Sequence, residues 1–417
     1  MLIVLLLFLV VETLFLTHCF NTKARSSLNP LSVMVYIWLI LLCLAYFLGE
    51  KQGFYKLDFT GILSVIWFLN VITICAYMVV RWESDIQTED NDIELISSKG
   101  IYTIALLAFA LFAVGNAFYF RDLSRYIPLG SLLSSLWRWK NLVLSGTFSE
   151  SSILYFGRNL SIVGTILSLN LIVNFRQKRK KLISILMALI YLALVFANPR
   201  RDPMIDKLVY FLCPLIFVYR NRASKLIKYI VPLSVIIIFL FIYISEALTF
   251  GQRSMVELAG RYTYVPFNSL QKALDEGYPS NTNLIMGNTF YFVYMILKYV
   301  FPMLAPPRII LSALGAETGN VYTSIIAPLI DSNGNPVYFV FILTLYAAYI
   351  GIVIAVSMNL IHRRKDLSSY VFYCAVFACA IRSYFNPTFS YAEVIGGILN
   401  AIVVSLLFNR VLKTRSD

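Results

Sequence analysis

The 417-residue chain reads as an all-α, polytopic transmembrane helical bundle, and three observations predict it. Its mean hydropathy is +0.74, with 59% hydrophobic and 15% aromatic residues, which is more apolar than a soluble globular domain. Runs of roughly 18 or more apolar residues recur from end to end, each long enough to cross about 30 Å of hydrocarbon as a helix. The basic residues gather in short blocks between those runs, where they anchor the cytoplasmic ends of spans. No run alternates in polarity over about ten residues, so a transmembrane β-barrel is excluded.

The first run, Leu2 to Cys19, has no basic stretch before it and is expected to be a retained span rather than a signal peptide. Glu12 lies near its middle, where an ionisable residue faces the bundle interior as a packing contact or serves function. Spans are expected next at Leu31–Leu48, Phe59–Val80 and Ile101–Phe120. Lys23 and Arg25 mark the first connection as cytoplasmic. The connection from Arg81 to Lys99 holds six acids and reads as a solvated loop, since acids contribute little to orientation. After Phe120, Arg121, Arg125, Arg138 and Lys140 mix with Tyr126, Trp137 and Trp139, a composition suited to the headgroup zone.

The span Ile153–Val173 carries Arg158 early and ends in the strongest basic block, Arg176 to Lys181. Leu182–Ala197 and Met204–Val218 form a hairpin joined by NPRRDP. Both far ends are basic, so Arg200 and Arg201 fall on the outer side, against the positive-inside trend. Either Asp202 and Asp206 neutralise them or they bind an anion. The span Lys228–Glu246 then delivers the chain outward. Residues 249–336 form a long periplasmic loop segment, the largest interruption of hydrophobicity in what otherwise reads as a single transmembrane domain over residues 1–417. Within it Pro266, Phe267, Leu270, Ala273 and Leu274, followed by Gly277, predict a short amphipathic helix on the membrane surface. The run Asn283–Leu304 either crosses, with Tyr322–Ile330 returning, or lies at the interface with neither crossing. Val337–Leu360, Tyr370–Tyr384 and Val394–Phe408 complete about eleven spans, up to about thirteen with the short ones. The N-terminus is expected outside and the C-terminus inside.

The formal net charge of +13 is therefore an orientation signal rather than a nucleic-acid footprint, because no soluble domain is present to carry one. The six cysteines lie within or at the ends of apolar runs with no CxxC, so neither a disulfide framework nor a metal cluster is expected. No carboxylate cluster has metal-ligand spacing, so no metal and no cofactor is expected. With the orientation above, Arg121, Arg125, Arg138, Lys140, Arg158, Arg200, Arg201, Arg253, Arg261, Arg308 and Arg382 all lie at or just below the outer face. Such arginines either snorkel to headgroups or hold an anion, since the planar guanidinium pairs two phosphate oxygens at once. Arg158 and Arg382, inside the apolar runs, are the costliest to keep.

The stretch GAETGNVYTSIIAPLIDSNG, Gly315 to Gly334, precedes a span that ends in a basic turn. It resembles the N-V-Y-T and acidic-glycine region of Wzy-type O-antigen polymerases, the oligosaccharide repeat unit polymerases. The hairpin FANPRRDPMIDKLVYF resembles that family's outward loop, and length, span number and a late outer loop also match. Where relatives often place an acid directly before an aromatic and glycine, this chain has Asp331-Ser332-Asn333-Gly334. The resemblance implies a metal-independent glycosyltransferase of the bacterial inner membrane with its active site facing the periplasm, acting in lipopolysaccharide biosynthesis. It would move a growing glycan from undecaprenyl diphosphate to the terminal sugar of a lipid-linked repeat unit. The partners implied are those lipid-linked oligosaccharides, membrane lipids and a chain-length regulator protein.

That reaction needs a cationic cradle for the diphosphate, a group to take the proton of the attacking hydroxyl, and a lateral opening for polyprenyl chains. Arg158, Arg200, Arg201, Arg253, Arg261 and Arg382 are the candidates for the cradle. The two histidines, His18 and His362, both map to the cytoplasmic side, so the candidate bases are Glu317, Asp331 and Glu393, with Glu246 and Glu257 behind them. Tyr264 and Tyr322 either stack on sugars or belong to the interfacial belt. Two rival readings stay open: an O-antigen ligase, expected to carry an outer-face histidine that is not found, and a polyprenol-linked flippase or transporter. A transporter should show internal repeats and charge at mid-membrane, where only Glu12 lies.

Overall fold

The computed structural model describes residues 2–50, 55–81, 96–127, 142, 160–175, 177–196, 201–218, 265–277, 284–304, 323–384, 388–390 and 393–412. Thirteen α-helices are used below: α1 Leu2–Ala24, α2 Pro30–Leu48, α3 Phe59–Val79, α4 Ser98–Leu123, α5 Ile162–Asn174, α6 Lys178–Phe196, α7 Arg201–Val218, α8 Val265–Glu276, α9 Tyr291–Leu297, α10 Ile326–Asp331, α11 Pro336–Arg364, α12 Leu367–Arg382 and α13 Glu393–Leu412. Among the described residues, five of these, α1 to α4 and α11, are long and apolar enough to cross a membrane. The chain is a helical membrane protein. The expected span Lys228–Glu246 lies outside the described residues.

The chain divides into two compact units, the first built from Met1–Ile86, Val256–Arg363 and Ala375–Leu399, the second from Gln87–Met255, Arg364–Cys374 and Asn400–Asp417. In the first, α1, α3 and α11 run parallel. Thr13 Oγ1 donates to Asn70 Oδ1 (2.8 Å) and Lys23 Nζ to Tyr77 O (2.6 Å), so α1 and α3 advance together. Trp67 Nε1 donates to Thr344 Oγ1 (2.9 Å) and Asn359 Nδ2 to Val79 O (3.1 Å), which sets the same direction for α11. Gly351 makes this approach possible, because a Cβ there would press on the backbone of Ile72 and Ala76. Asn29 caps α2 by accepting from Ser32 N (2.9 Å), one residue ahead of Pro30 in the first turn.

The amphipathic helix expected around Pro266 is α8, and Gly277 ends it at φ +72°, the left-handed conformation that favours glycine after a helix. It does not lie open on a surface: Phe267 and Leu270 are buried, and so is Gln271. Gln271 Oε1 accepts from the amides of Asp58 (3.1 Å) and Gly61 (3.0 Å), while its Nε2 donates to Thr60 Oγ1 (3.0 Å). One side chain of α8 thus satisfies first-turn amides of α3 that have no intrahelical acceptor. Tyr55 OH donates to Asp275 Oδ2 (2.8 Å), and that bond raises the Tyr55 phenol above its ordinary value.

In the second unit α5 is the central helix, buried along almost its whole length and packed between α4, α6 and α7. Asn170 and Asn174 run a polar ladder through it: Asn174 Nδ2 donates to Asn170 Oδ1 (2.9 Å), Asn170 Nδ2 to Ser184 Oγ (2.9 Å), and Ser98 Oγ to Asn174 Oδ1 (2.7 Å). Pro214 lies inside α7 and removes the amide that would bond Tyr210 O. Thr165 of α5 supplies the missing donor, its Oγ1 reaching Tyr210 O at 3.1 Å in a buried position. A neighbouring helix thereby restores what the proline takes away.

Thr165→Val should lower the thermal stability of the detergent-purified protein by about 1–2 kcal/mol, the cost of orphaning a buried carbonyl. Pro214→Ala restores an intrahelical donor and should remove most of that penalty in the double variant. Equal penalties in both backgrounds, measured by thermal unfolding, would show that the hydroxyl does not serve this carbonyl.

Candidate functional site

The first unit gathers short, late-sequence segments against α11. The run Asn283–Leu304 is not a span: its described residues form turns, the seven-residue α9 and a 3-10 turn at Pro302–Leu304. Seven helical residues cover about 10 Å, a third of the hydrocarbon layer. Tyr322–Ile330 is likewise no span, since helix begins only at Ile326 and α10 is six residues long. Met286 reverses the chain at φ 53°, and Gly287 N then bonds Leu284 O while Phe290 N bonds Met286 O. The amides of Asn288 and Thr289 are left without intrahelical acceptors.

Asp331, at the end of α10, takes both. Asn288 N donates to Oδ1 (3.1 Å) and Oδ2 (3.2 Å), Asn288 Nδ2 to Oδ1 (2.7 Å), and Thr289 N and Oγ1 each to Oδ2 (2.7 Å). The carboxyl is buried, which pushes its pKa above the ordinary value, and the bonds from Thr289 and Asn288 pull against that shift. A general base needs a free lone pair within about 3 Å of the attacking hydroxyl. In this arrangement the acceptor positions of Asp331 are occupied, and its role is to tether the 284–304 segment to the segment that resembles the polymerases.

That second segment is docked in turn. Ser324 donates its amide (3.0 Å) and its hydroxyl (2.8 Å) to Ser383 O. Trp38 Nε1 of α2 donates to Ser383 Oγ (3.1 Å), and Tyr384 packs edge-on against Trp38 and Phe267. Thr388 folds back to bond Cys379 O (2.9 Å), Ser390 O accepts from Phe292 N (3.1 Å), and Ser390 Oγ donates to Tyr346 OH (2.8 Å). Phe290 and Phe292 pack on Tyr349. Tyr346 is ten residues into α11, roughly 15 Å along its axis, and α11 at 29 residues overspans a 30 Å hydrocarbon layer. The hydroxyls of Ser324, Ser383, Ser390 and Tyr346 therefore form a polar cluster well below the end of the helix. In the same unit Asn288 Oδ1 and Thr323 Oγ1 are buried without a hydrogen-bond partner, a state that is uncommon for buried polar atoms.

Arg382 is the last residue of α12, 6% exposed, directly before Ser383. Of the residues singled out from sequence, Asp331 is brought into this assembly by its bonds to Asn288 and Thr289, and Arg382 stands next to Ser383 in the chain. Arg201 opens α7 and Glu393 opens α13, but their side chains lie outside the described residues. Arg158, Arg200, Arg253, Arg261, Glu317, Tyr264 and Tyr322 lie outside them altogether. Arg121 and Arg125, counted among the outer cations, lie 3.1 Å and 3.9 Å from Asp122 in exposed pairs, which contribute little. The sequence reading missed Asn288, Thr289, Ser324, Ser383 and Ser390 as site residues. It also missed Lys207, buried in α7 of the second unit with its Nζ over the Phe112 ring. Comparison with protein-family models, with characterised proteins and with solved structures returns no match.

Asp331→Asn replaces one of the two accepting oxygens by an NH2 that faces donors and should cost about 2–3 kcal/mol of stability, with Asn288→Ala costing less because both backbone amides still bond the carboxylate. An unchanged midpoint in thermal unfolding of Asp331→Asn would remove the tether from the account of this fold.

Proposed function

We propose that this protein is an oligosaccharide repeat unit polymerase that transfers a growing glycan from undecaprenyl diphosphate to a lipid-linked repeat unit at the periplasmic face of a bacterial inner membrane. One observation carries the reading: the part of the polymerase-like stretch that is described, Thr323 to Gly334, docks through Ser324 onto Ser383, beside the buried Arg382. A cation kept inside a membrane protein is expensive, and the reaction has a use for it, because the diphosphate leaving group gains negative charge as the glycosidic bond breaks.

In this reading Arg382 binds the diphosphate together with Arg261 of the same unit, each able to clamp two phosphate oxygens, and Arg158, Arg200, Arg201 and Arg253 stay candidate anion-binding residues of the second unit. The serine and tyrosine hydroxyls of the cluster and the orphaned oxygens of Asn288 and Thr323 suit the hydroxyl groups of a sugar. Tyr264 and Tyr322 offer ring faces for stacking. Asp331 acts as a positioning residue, and Glu317 or Glu393 takes the proton of the attacking hydroxyl. The polyprenyl chain has a fitting seat in the groove between α1 and α2, walled by Val10, Leu14, Tyr36, Leu39, Ile40 and Phe47. Helix α2 turns its other side to the site through Trp38.

Deleting the gene should leave surface lipopolysaccharide carrying a single repeat, read on a gel. Glycan-free lipid core would instead favour a ligase or flippase. In the complemented strain, Arg382→Ala should leave the protein in the membrane yet abolish long chains, since truncating one partner of a desolvated charge pair costs about 2–5 kcal/mol. Arg382→Lys should recover only part, because an ammonium cannot pair two oxygens at once. Normal chain length in Arg382→Ala removes Arg382 from the cradle.

A further inference from the structure

Two of the six cysteines meet inside the second unit. Cys213 of α7 and Cys374 of α12 hydrogen-bond through their thiols, and both are free and belong to that unit. The rings beside them show the same pairing of helices. Phe217 packs edge-on against Tyr370, with 5.8 Å between ring centres, and against Tyr373 at 5.6 Å. Phe217 follows Cys213 by one turn, and Tyr370 precedes Cys374 by one turn. The ring contact and the thiol contact are therefore successive layers of one antiparallel helix pair. No spacing in the sequence joins the two cysteines, which come together only through this packing.

The surroundings decide what such a pair can do. Cys213 is 2% exposed and Cys374 is fully buried. Binding a soft metal requires both thiols to ionise, which places charge in an apolar contact, and among the described residues no third ligand stands by. Oxidation to a disulfide raises no such cost, since dithiol and disulfide are both neutral. A disulfide sets its sulfurs about 2 Å apart, a short closing movement from thiols already in hydrogen-bond contact.

We propose that Cys213 and Cys374 are a redox couple that closes into an interhelical disulfide, with a hydrocarbon-soluble quinone as the oxidant. Both S–H bonds break and one S–S bond forms. The thiols lose two electrons, and the quinone takes these together with both protons to become the quinol. An acceptor that carries protons and electrons together suits a pair shielded from water, where a proton released alone has no base to receive it. The bond ties α7 to α12 about two turns ahead of Arg382 on the same helix. Its formation is independent of glycan transfer.

The test uses the full-length chain in native membranes, with Cys19, Cys43, Cys75 and Cys379 replaced by alanine. The membranes are treated with decylubiquinone, whose fully substituted ring offers no position for thiol addition. Protein denatured in detergent is then labelled with a polyethylene-glycol maleimide. Untreated protein should carry two adducts. Treated protein should carry none, run as a monomer on a non-reducing gel, and regain both adducts after dithiothreitol. A chain keeping only Cys213 and Cys379 should hold both adducts through the same treatment. In the chain with all its cysteines, a digest after treatment should contain the linked peptides of Cys213 and Cys374, which checks the result without any substitution. Two adducts after treatment, with no linked peptides, overturn the proposal. So does a loss that dithiothreitol does not reverse, a disulfide between two copies, or an equal loss in the Cys213 and Cys379 chain.

Discussion

Every backbone amide and carbonyl at membrane depth must find a partner inside the protein, because hydrocarbon offers none. Long helices meet this demand by themselves, so α1 to α4 and α11 need only apolar surfaces. The rest of the structure is organised by the places where helices stop. At four such places a side chain from another segment supplies what the helix leaves open. Gln271 covers the start of α3, Asn359 Nδ2 reaches Val79 O at its end, Thr165 replaces the amide missing at Pro214, and Asp331 collects the amides of Asn288 and Thr289. Each of these bonds ties together residues far apart in sequence, so chain termini of helices become the joints of the tertiary structure.

The same constraint explains why the candidate site is polar. Residues 284–290, 323–325, 383–384 and 388–390 are non-helical, and Phe290, Ser324 and Ser390 meet α11 at Tyr346. Irregular backbone survives at such depth only when buried in protein or lining a cavity, and it brings with it hydroxyls and amides that satisfy it. Ser383 shows the economy of the arrangement: its carbonyl receives two bonds from Ser324 while its hydroxyl receives Trp38. Once a polar shell of this kind exists inside the bilayer, a sugar or phosphate finds partners there that lipid does not offer. The tether at Asp331 holds the aromatic segment Phe290–Phe292 against Tyr349, so the shell and its aromatic wall are fixed by one carboxyl group.

What was legible in the sequence follows from the range of the interaction responsible. Hydropathy is a local property, and it located α1 to α4 and α11 to within a few residues. The helix at Pro266 was legible because proline, apolar spacing and Gly277 all act within four turns. The stretch 283–304 was not, since its apolar content fits a span as well as a folded-back segment, and the choice is made by Asp331, more than forty residues away. The same distance hid the meaning of Asp331 itself. Read alone it is a free carboxylate near a glycine, whereas in the structure its oxygens are engaged by Asn288 and Thr289. Serines of the cluster gave no signal because a serine in an apolar run bonds its own helix as readily as a neighbour.

Arg382 remains the residue whose position asks for the most explanation. It sits in the last turn of α12, where the helix macrodipole favours a cation by about 0.3–1 kcal/mol, and up to about 2 when partly buried. Removing a guanidinium from water costs several kcal/mol even after relaxation, so the dipole alone does not offset its burial. An arginine serving only as an anchor would extend its charge to the headgroups at far lower cost. The chain instead ends the helix there, turns at Ser383 and closes Tyr384, Trp38 and Phe267 around the bend. Arginine suits such a place because it keeps its charge when desolvated and presents a rigid fork. An anion bound at this bend would therefore meet a cation whose desolvation was met during folding, which lowers the cost of binding it.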